Sequence, residues 1–184
     1  DSLGIAFDEK KNDRLRGVSR MESLEIVLEG YTGPALSQEE KTVLAEKKNR
    51  LYRQYLLTMT PKDLPDEVRE TLNALRVRGL KLAIGSSSKN TKFILSRLGL
   101  GDYFDAISDG TNITRSKPDP QVFLMAADFI GMKPEKCLVV EDAKAGIQAA
   151  VAGGFDSAGL GEAAACGMAT YAMKTFGDLK GICG

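Results

Sequence analysis

The chain contains no histidine, which excludes a histidine general base and histidine ligands to a metal ion. It also has no excess charge, because 25 lysines and arginines balance 25 aspartates and glutamates. The protein therefore has no net positive charge that would attract a nucleic acid or an anionic membrane. No apolar run approaches the length of a membrane span. Any chemistry must then use carboxylates, hydroxyls, lysine, arginine or cysteine.

Cysteine is scarce, and its three positions, Cys137, Cys166 and Cys183, are widely spaced. The odd number does not suit a disulfide framework, and Cys137 stands inside an apolar run. We therefore expect reduced thiols and a cytoplasmic location. With 184 residues, of which 43% are hydrophobic, the chain can form a sizeable core. Its length suits one domain, or one domain with a small insertion.

Capping signals predict two helices in the first third of the chain. Ser19 is followed three residues later by Glu22, and Ser37 by Glu40, which is the spacing of a capping box. The second helix should run to about Leu57. Its expected apolar stripe consists of Leu44, Leu51, Tyr52 and Tyr55.

Lys48 interrupts that stripe, and two interpretations of it stay open. Its stem could pack on the protein while its amine reaches water, or the amine could point into a cleft. Residues 58–65 carry two prolines and indicate a hinge. We therefore divide the chain into a helical domain, residues 1–62, and an α/β core, residues 63–184.

In the second region, segments with the hydrophobic pattern of a strand alternate with segments that have the pattern of a helix. Strands are expected at 80–85, 104–107, 137–140 and 155–160, with helices between them. Alternation of this kind is typical of βαβ units, so the pattern predicts an α/β fold with a parallel sheet.

Two adjacent carboxylates, Glu141 and Asp142, directly follow the apolar run 137–140. A run without alternation predicts a strand covered on both faces, and open α/β sheets bind ligands at the carboxyl ends of such strands. Side by side, the two groups repel each other and offer the oxygen ligands that Mg²⁺ prefers. The alternative is structural, with Asp142 as the cap of the next helix.

Two further polar residues stand where a phosphate could bind. Ser86 ends a predicted strand just before a helix, whose amino terminus favours anions. Lys117 lies between Ser116 and a stiff Pro118-Asp119-Pro120 segment, so it could neutralise a phosphoryl group or a carboxylate nucleophile. The alternatives are that Ser86–Ser88 cap the helix and that Lys117 is a solvated surface residue.

Taken in this order, these motifs resemble those of the haloacid dehalogenase superfamily of phosphotransferases. They are Ser86 at a strand end, Ser116-Lys117-Pro118-Asp119-Pro120, and Val139-Val140-Glu141-Asp142-Ala143-Lys144-Ala145-Gly146-Ile147. The helical part resembles the inserted cap of that superfamily. Gly17-Val18-Ser19-Arg20 with Ser23, and Lys48-Asn49, are similar to the cap of the β-phosphoglucomutase family. The resemblance extends from about Leu3 to Leu160.

The resemblance implies a Rossmann-like core with a helical cap, and a monomeric mutase that acts on a small sugar phosphate. Such an enzyme interconverts β-glucose 1-phosphate and glucose 6-phosphate through an aspartyl phosphate and a bisphosphate. Ser86 and Lys117 would bind the transferring phosphoryl group, and Glu141 and Asp142 would hold Mg²⁺. Arg20 would hold the other phosphate. The remaining substrate-binding residues would be Ser23, Lys48, Ser87, Ser88, Lys89 and Asn90.

The superfamily's first motif, an apolar strand that ends in Asp-x-Asp-Gly, has no counterpart here. The nearest candidate, Gly4-Ile5-Ala6-Phe7-Asp8, has Lys10 in place of the second aspartate and lies too close to Gly17. We therefore expect the nucleophile, on the central strand of the sheet, upstream of residue 1, and no phosphoryl transfer by the chain without it. The alternatives are a phosphatase of a small phosphorylated metabolite and a non-catalytic phosphate-binding remnant.

Overall fold

A computed structural model describes residues 3–6 and 8–184, and its first part is helical. The helices are α1 (Glu9–Asp13), α2 (Arg20–Leu28) and α3 (Gln38–Thr58). Both predicted capping boxes are confirmed. The Ser19 hydroxyl accepts the Glu22 N–H at 3.3 Å, and the Glu22 carboxylate accepts the Ser19 N–H at 2.8 Å. Ser37 and Glu40 repeat this arrangement at the start of α3.

The predicted apolar stripe of α3 is wrong. Leu51, Tyr52 and Tyr55 are exposed, and the residues that α3 buries are Ala45 and Leu56. The helix packs against α2 and against the helix that begins at residue 91. A search for large apolar side chains does not detect a contact face that contains alanine. Alanine adds little to the hydrophobic pattern of the sequence, although its small side chain allows two helices to pack closely.

After a short 3₁₀ turn at Pro61–Asp63, strands alternate with helices. The strands are β1 (Ala83–Gly85), β2 (Ala106–Ser108), β3 (Leu138–Glu141), β4 (Asp156–Gly159) and β5 (Tyr171–Ala172). The helices are α4 (Asp66–Val77), α5 (Thr91–Arg97), α6 (Gln121–Phe129), α7 (Lys144–Ala152), α8 (Glu162–Ala165) and α9 (Leu179–Ile182). All strand pairs are parallel, which confirms the predicted α/β fold.

Helices pack on both faces of β3, as in a Rossmann-like core. Val139 of β3 packs with Phe123 of α6, Ala149 of α7 and Phe155. Its neighbours Leu138 and Val140 pack instead with a cluster that includes Leu75 of α4 and Leu179 of α9. Successive side chains of a strand point to opposite faces, so one strand supplies both clusters.

The strands form two separate sheets, β1–β2 and β3–β4–β5. In the described part of the chain, β1 and β3 each pair with one strand and keep one open edge. The expectation that β3 is covered on both faces is therefore only half correct: Val139 is buried, whereas Leu138 and Val140 are half-buried. Side chains of a strand at the edge of a sheet stay partly accessible.

Contacts tie the helical part to the core at the end of α3. The Arg97 guanidinium of α5 donates to the Leu57 carbonyl at 2.8 Å and to the Met59 carbonyl at 3.0 Å. The division into a helical domain, 1–62, and a core, 63–184, stays a prediction. Among the described residues, no helix combines the length and apolar character needed to cross a membrane.

Candidate active site

The segment Ser86–Asn90, called here the serine loop, connects β1 to α5. The Ser86 N–H donates to the Ser108 carbonyl at 2.9 Å and so continues the contact between β1 and β2. The Ser86 hydroxyl accepts the Ser88 N–H at 3.2 Å, and the Ser88 hydroxyl accepts the Asn90 N–H at 3.1 Å. These two local bonds fold the loop into consecutive turns.

Ser86 does not stand directly before a helix, so that part of the prediction is wrong. α5 begins at Thr91, because the two turns use up the residues between Ser86 and the helix. The capping alternative is not seen either, since the N-cap of α5 is Asn90 and no side chain caps the helix. The serine hydroxyls instead hold the shape of the loop.

Gly110 supports the serine loop from the next strand connection, a role that sequence reasoning missed. Its N–H donates to the Ser88 carbonyl at 3.2 Å. A Cβ atom at Gly110 would lie 2.5 Å from the Ser87 carbonyl oxygen and 2.9 Å from the Lys89 nitrogen. Only glycine allows two backbones to approach this closely. The Asp109-Gly110 pair after a predicted strand was the available signal.

Lys117 is buried, with 4% of its surface exposed, so the interpretation as a solvated surface residue is wrong. Its Nζ donates to the Gly85 carbonyl at 3.1 Å and to Oε1 of Glu141. The same nitrogen lies 4.6 Å from the centre of the Phe123 ring, within range of a cation–π interaction. Lys117 therefore joins the carboxyl end of β1 to that of β3.

Glu141 is the buried partner of this lysine, with 8% of its surface exposed. Its Oε2 accepts the Ala143 N–H at 3.4 Å, and a side chain at Gly146 would collide with the carboxylate. Two opposite charges buried together compensate each other, whereas either one alone would carry a large desolvation cost. The pair thus links the two strands and places one positive and one negative charge at their carboxyl ends.

Asp142 differs from Glu141 in being exposed, with 68% of its side chain accessible. Its Oδ2 lies 4.0 Å from Nη1 of Arg16. The N-cap of α7 is Ala143, and no side chain caps that helix, so the capping interpretation of Asp142 is wrong. The carboxylate is accessible to a ligand.

The two carboxylates fit Mg²⁺ as a partial ligand set. Mg²⁺ is commonly held by one or two carboxylates together with waters and the oxygens of a bound phosphate. Among residues 3–6 and 8–184, no cluster of three or more histidine, cysteine, aspartate or glutamate side chains has metal-binding geometry. Asp142 is the accessible donor, and Glu141 would have to share its carboxylate with Lys117.

A cleft of about 850 Å³ opens between α2, α3, the serine loop and residues 110–116. All seven residues predicted to bind substrate line it, namely Arg20, Ser23, Lys48, Ser87, Ser88, Lys89 and Asn90. Ser116, the neighbour of Lys117, also lines it, whereas Ser86, Lys117, Glu141 and Asp142 do not. The four residues predicted for catalysis and metal binding therefore lie outside the cleft lining.

The charges of the cleft favour an anion. Its lining includes four basic side chains, those of Arg20, Lys48, Lys89 and Arg115, and two acidic ones, those of Glu22 and Glu46. The Glu22 carboxylate is already engaged by the Ser19 N–H. The Arg115 guanidinium is likewise engaged, by the Asp119 carboxylate at 2.8 Å. The remaining bases, Arg20, Lys48 and Lys89, outnumber the remaining acid, Glu46. A cleft with a surplus of positive charge concentrates anions, so this one suits a phosphorylated molecule.

Asp8 caps a helix and does not line the cleft. Its Oδ1 accepts the Lys11 N–H at 2.7 Å and caps α1. Phe7, which would complete the candidate strand before it, lies outside the described residues. The rejection of Asp8 at the sequence level agrees with its capping contact.

Comparison with known proteins identifies the family. Residues 4–154 match the family described as haloacid dehalogenase-like hydrolase. The chain belongs to this family. Within it the chain is similar to β-phosphoglucomutase of Bacillus subtilis, with 39% identity over 163 residues that cover 88% of this chain and 72% of that protein.

Two further comparisons support this placement in the haloacid dehalogenase-like family. A phosphorylated carbohydrates phosphatase of Thermotoga maritima is 31% identical over 158 residues, which cover 85% of this chain and 70% of that protein. The crystal structure of β-phosphoglucomutase from Clostridium difficile superposes with a TM-score of 0.89 at 35% identity. That superposition covers 97% of this chain and 80% of the other. The predicted superfamily and its β-phosphoglucomutase-like character are confirmed.

Proposed function

We propose that this protein is a sugar-phosphate mutase that interconverts β-glucose 1-phosphate and glucose 6-phosphate. The observation that carries the proposal is the convergence of all seven predicted substrate-binding residues on one basic cleft. The identity of 39% to β-phosphoglucomutase of Bacillus subtilis supports it. Arg20 would hold the non-transferring phosphate, because its planar fork of donors matches two phosphate oxygens.

The transferring phosphoryl group would bind at the other end of the site, near Ser86 and Lys117. Lys117 already carries its positive charge at the ends of two strands. Its ammonium group would donate a hydrogen bond to a phosphoryl oxygen, and its positive charge would offset the charge of a carboxylate nucleophile. The Ser86 hydroxyl would add one hydrogen bond to the same group. Lys48, Ser23 and the serine loop residues Ser87–Asn90 would position the sugar and the phosphate beside it.

The nucleophile in this proposal is an aspartate on a strand that precedes residue 1. Glu141 cannot readily serve, because Lys117 occupies its Oε1. The open edges of β1 and β3, which Lys117 joins at their ends, could receive a parallel strand between them. Attack by the aspartate forms a new P–O bond as the ester P–O bond of the bisphosphate breaks. The leaving sugar oxygen would take a proton from the second aspartate of the same Asp-x-Asp-Gly motif, acting as general acid.

Glu141 and Asp142 would hold Mg²⁺ at the carboxyl end of β3. When bound there, the ion would neutralise charge on the phosphoryl group. We also expect, from the scarce and unpaired cysteines, that the protein is cytoplasmic, and from the resemblance that it is a monomer.

Product analysis with β-glucose 1-phosphate and a trace of β-glucose 1,6-bisphosphate tests the proposal. The assay compares this 184-residue chain with a protein that also carries the upstream coding region. We expect glucose 6-phosphate from the longer protein in the presence of Mg²⁺, and none from the shorter chain. Release of inorganic phosphate without glucose 6-phosphate would contradict the mutase.

A phosphatase is the second candidate, because relatives with that activity in their names also match. Besides the Thermotoga maritima phosphatase, a fructose-1-phosphate phosphatase of Escherichia coli is 37% identical over 115 residues, which cover 62% of this chain and 60% of that protein. A third possibility is a non-catalytic phosphate-binding remnant. An Asp-x-Asp-Gly motif in the upstream coding sequence would argue against it.

A further inference from the structure

A hydrogen bond between two asparagines joins α3 to the serine loop. Nδ2 of Asn90 donates to Oδ1 of Asn49 at 2.9 Å. Asn49 follows Lys48 on α3, and both asparagines line the cleft. Asn90 has 7% of its surface exposed, whereas Asn49 is half-buried. This contact thus connects two walls of the same cleft.

We propose that Asn49 is a positioning residue of the substrate cleft. It acts by holding Asn90, the serine loop residue whose side-chain amide would contact the phosphate. The inference rests on the proposed function, because the cleft must bind a phosphorylated ligand for the position of Asn90 to matter. The sequence motif Lys48-Asn49 contains this residue, but the resemblance assigns no role to it.

Asn49 determines the orientation of the Asn90 amide. That amide has two N–H groups, and Asn49 takes one of them. The second has no hydrogen-bond acceptor among the described residues, and Asn90 is one of the residues that line the cleft. With the amide plane fixed, the second N–H stays available to a phosphate oxygen. Without Asn49, a buried amide loses a partner and can rotate about its side-chain bond.

Asn49 also restrains the loop itself. The backbone N–H of Asn90 donates to the Ser88 hydroxyl at 3.1 Å, so a movement of Asn90 is transmitted to Ser88. On the opposite side, the Ser87 hydroxyl donates to the Gly17 carbonyl at 2.8 Å. The loop is therefore held to the helical part at two points. Asn49 supplies the one nearer to α5.

Removal of Asn49 should leave the fold intact. The end of α3 is held separately by Arg97, which donates to the Leu57 and Met59 carbonyls. Asn49 is half-buried, and alanine has the highest intrinsic helix propensity. Effects of Asn49→Ala should therefore be local to the cleft.

Asn73 provides a matched control. It also lies on a helix, and its Oδ1 also accepts a hydrogen bond at 2.9 Å, from the Tyr103 hydroxyl. It does not line the cleft. Asn73→Ala removes the same type of contact without touching the serine loop.

The test measures two quantities in the protein with its upstream region: the dissociation constant of β-glucose 1,6-bisphosphate, and amide hydrogen exchange in the serine loop. We expect Asn49→Ala to weaken binding about tenfold, the typical value of one lost hydrogen bond, with faster exchange at Ser88–Asn90. Asn73→Ala should change neither. A double-mutant cycle should show Asn49→Ala and Asn90→Ala to be less than additive, since both remove one contact.

The possible outcomes separate the inference from the proposed function. A wild type that binds no bisphosphate and makes no glucose 6-phosphate contradicts the proposed function. If the wild type binds, then unchanged affinity in Asn49→Ala, or fully additive effects with Asn90→Ala, overturns the role of Asn49. Unchanged hydrogen exchange in Asn49→Ala overturns it whether or not the ligand binds.

Discussion

Lys48 and Lys89 reach the cleft as exposed side chains, whereas Lys117 is buried between Gly85 and Glu141. The exposed lysines have solvent around them, so their charge is available to a ligand. The charge of Lys117 is compensated within the protein, and it links two strands that are not paired with each other. Basic residues of one site thus differ in kind: two present exposed charge to the cleft, and one connects the ends of β1 and β3.

The largest expected effect comes from breaking the buried pair. Lys117→Met should lower the free energy of unfolding by about 3–5 kcal/mol, because it leaves the Glu141 carboxylate buried without a partner. Urea denaturation measures this. Lys89→Met, at an exposed lysine of the cleft, is the matched control and should change stability by less than about 0.5 kcal/mol.

The double variant Lys117→Met/Glu141→Leu sharpens this test. Replacing both partners of a buried ion pair with apolar residues is often close to neutral for stability. We therefore expect the double variant to recover most of the loss. Equal effects of Lys117→Met and Lys89→Met would mean that the buried and exposed lysines do not differ in the way described.

The second largest effect is expected for a substitution at Asp142, an exposed carboxylate that is a proposed ligand of Mg²⁺. Asp142→Asn should reduce activity roughly a hundredfold and raise the Mg²⁺ concentration required, because a hard cation loses an anionic ligand. Stability should hardly change, since the side chain is 68% accessible. Titration calorimetry with Mg²⁺ gives a readout apart from activity.

Asp128→Asn is the matched control for Asp142, because Asp128 is an exposed aspartate on α6 that does not line the cleft. It should leave both Mg²⁺ affinity and activity unchanged. Full activity of Asp142→Asn at ordinary Mg²⁺ concentrations would remove Asp142 from the metal site.

A smaller effect is expected at the far end of the cleft. Arg20→Ala should weaken binding of the bisphosphate roughly tenfold, the lower range for a hydrogen bond to a charged group, because solvent screens a half-buried site. Hydrolysis of a simple phosphate ester should slow less than this. Calorimetry and a phosphate-release assay provide the two values. Unchanged affinity would exclude Arg20 from the substrate site.

The smallest effect on stability is expected at the start of β1, the strand whose carboxyl end contacts Lys117. The Asp105 carboxylate accepts the Leu82 N–H at 2.7 Å, and this bond, with Arg76 nearby, holds the pKa of Asp105 below its usual value of 3.8. A lowered pKa in the folded state stabilises the protein above the unfolded pKa, and this contribution is lost as the pH falls through the folded pKa.

Asp105→Asn should therefore lower stability slightly at pH 7, and the difference from the wild type should shrink as the pH falls below 3.8. Thermal unfolding at several pH values measures it. A difference that grows on acidification would contradict the role given to Asp105. Asp102→Asn, at an exposed aspartate in the turn before β2, is the control.

The α/β fold could be predicted because it depends on local patterns, whereas the cleft residues could be named only through the resemblance of short motifs to the β-phosphoglucomutase family. Capping boxes and apolar runs extend over a few residues, and the serine loop and the Lys117 segment are contiguous motifs. The contacts of Lys117 could not be predicted, since Gly85 and Glu141 lie 32 and 24 residues away in the chain.

The failures have physical causes of the same kind. The contact face of α3 uses Ala45, which carries little hydrophobic signal, so the pattern of large apolar residues predicts a packed stripe that includes two exposed tyrosines. The helix α5 begins later than the position of Ser86 predicts, because serine hydroxyls that usually cap helices accept N–H groups inside the loop. The bond between Asn49 and Asn90 spans 41 residues and leaves no trace in local spacing.

In the proposed enzyme, one bisphosphate is bound between Arg20 in the cleft and the Lys117 end of the site. A crystal structure of the protein with its upstream region, β-glucose 1,6-bisphosphate and Mg²⁺ would show this. We expect one phosphate within hydrogen-bond distance of Arg20 and the other within hydrogen-bond distance of Ser86 and Lys117, with the ion on Asp142. A bisphosphate bound away from Arg20, or a Lys117 that contacts no phosphate oxygen, would contradict it.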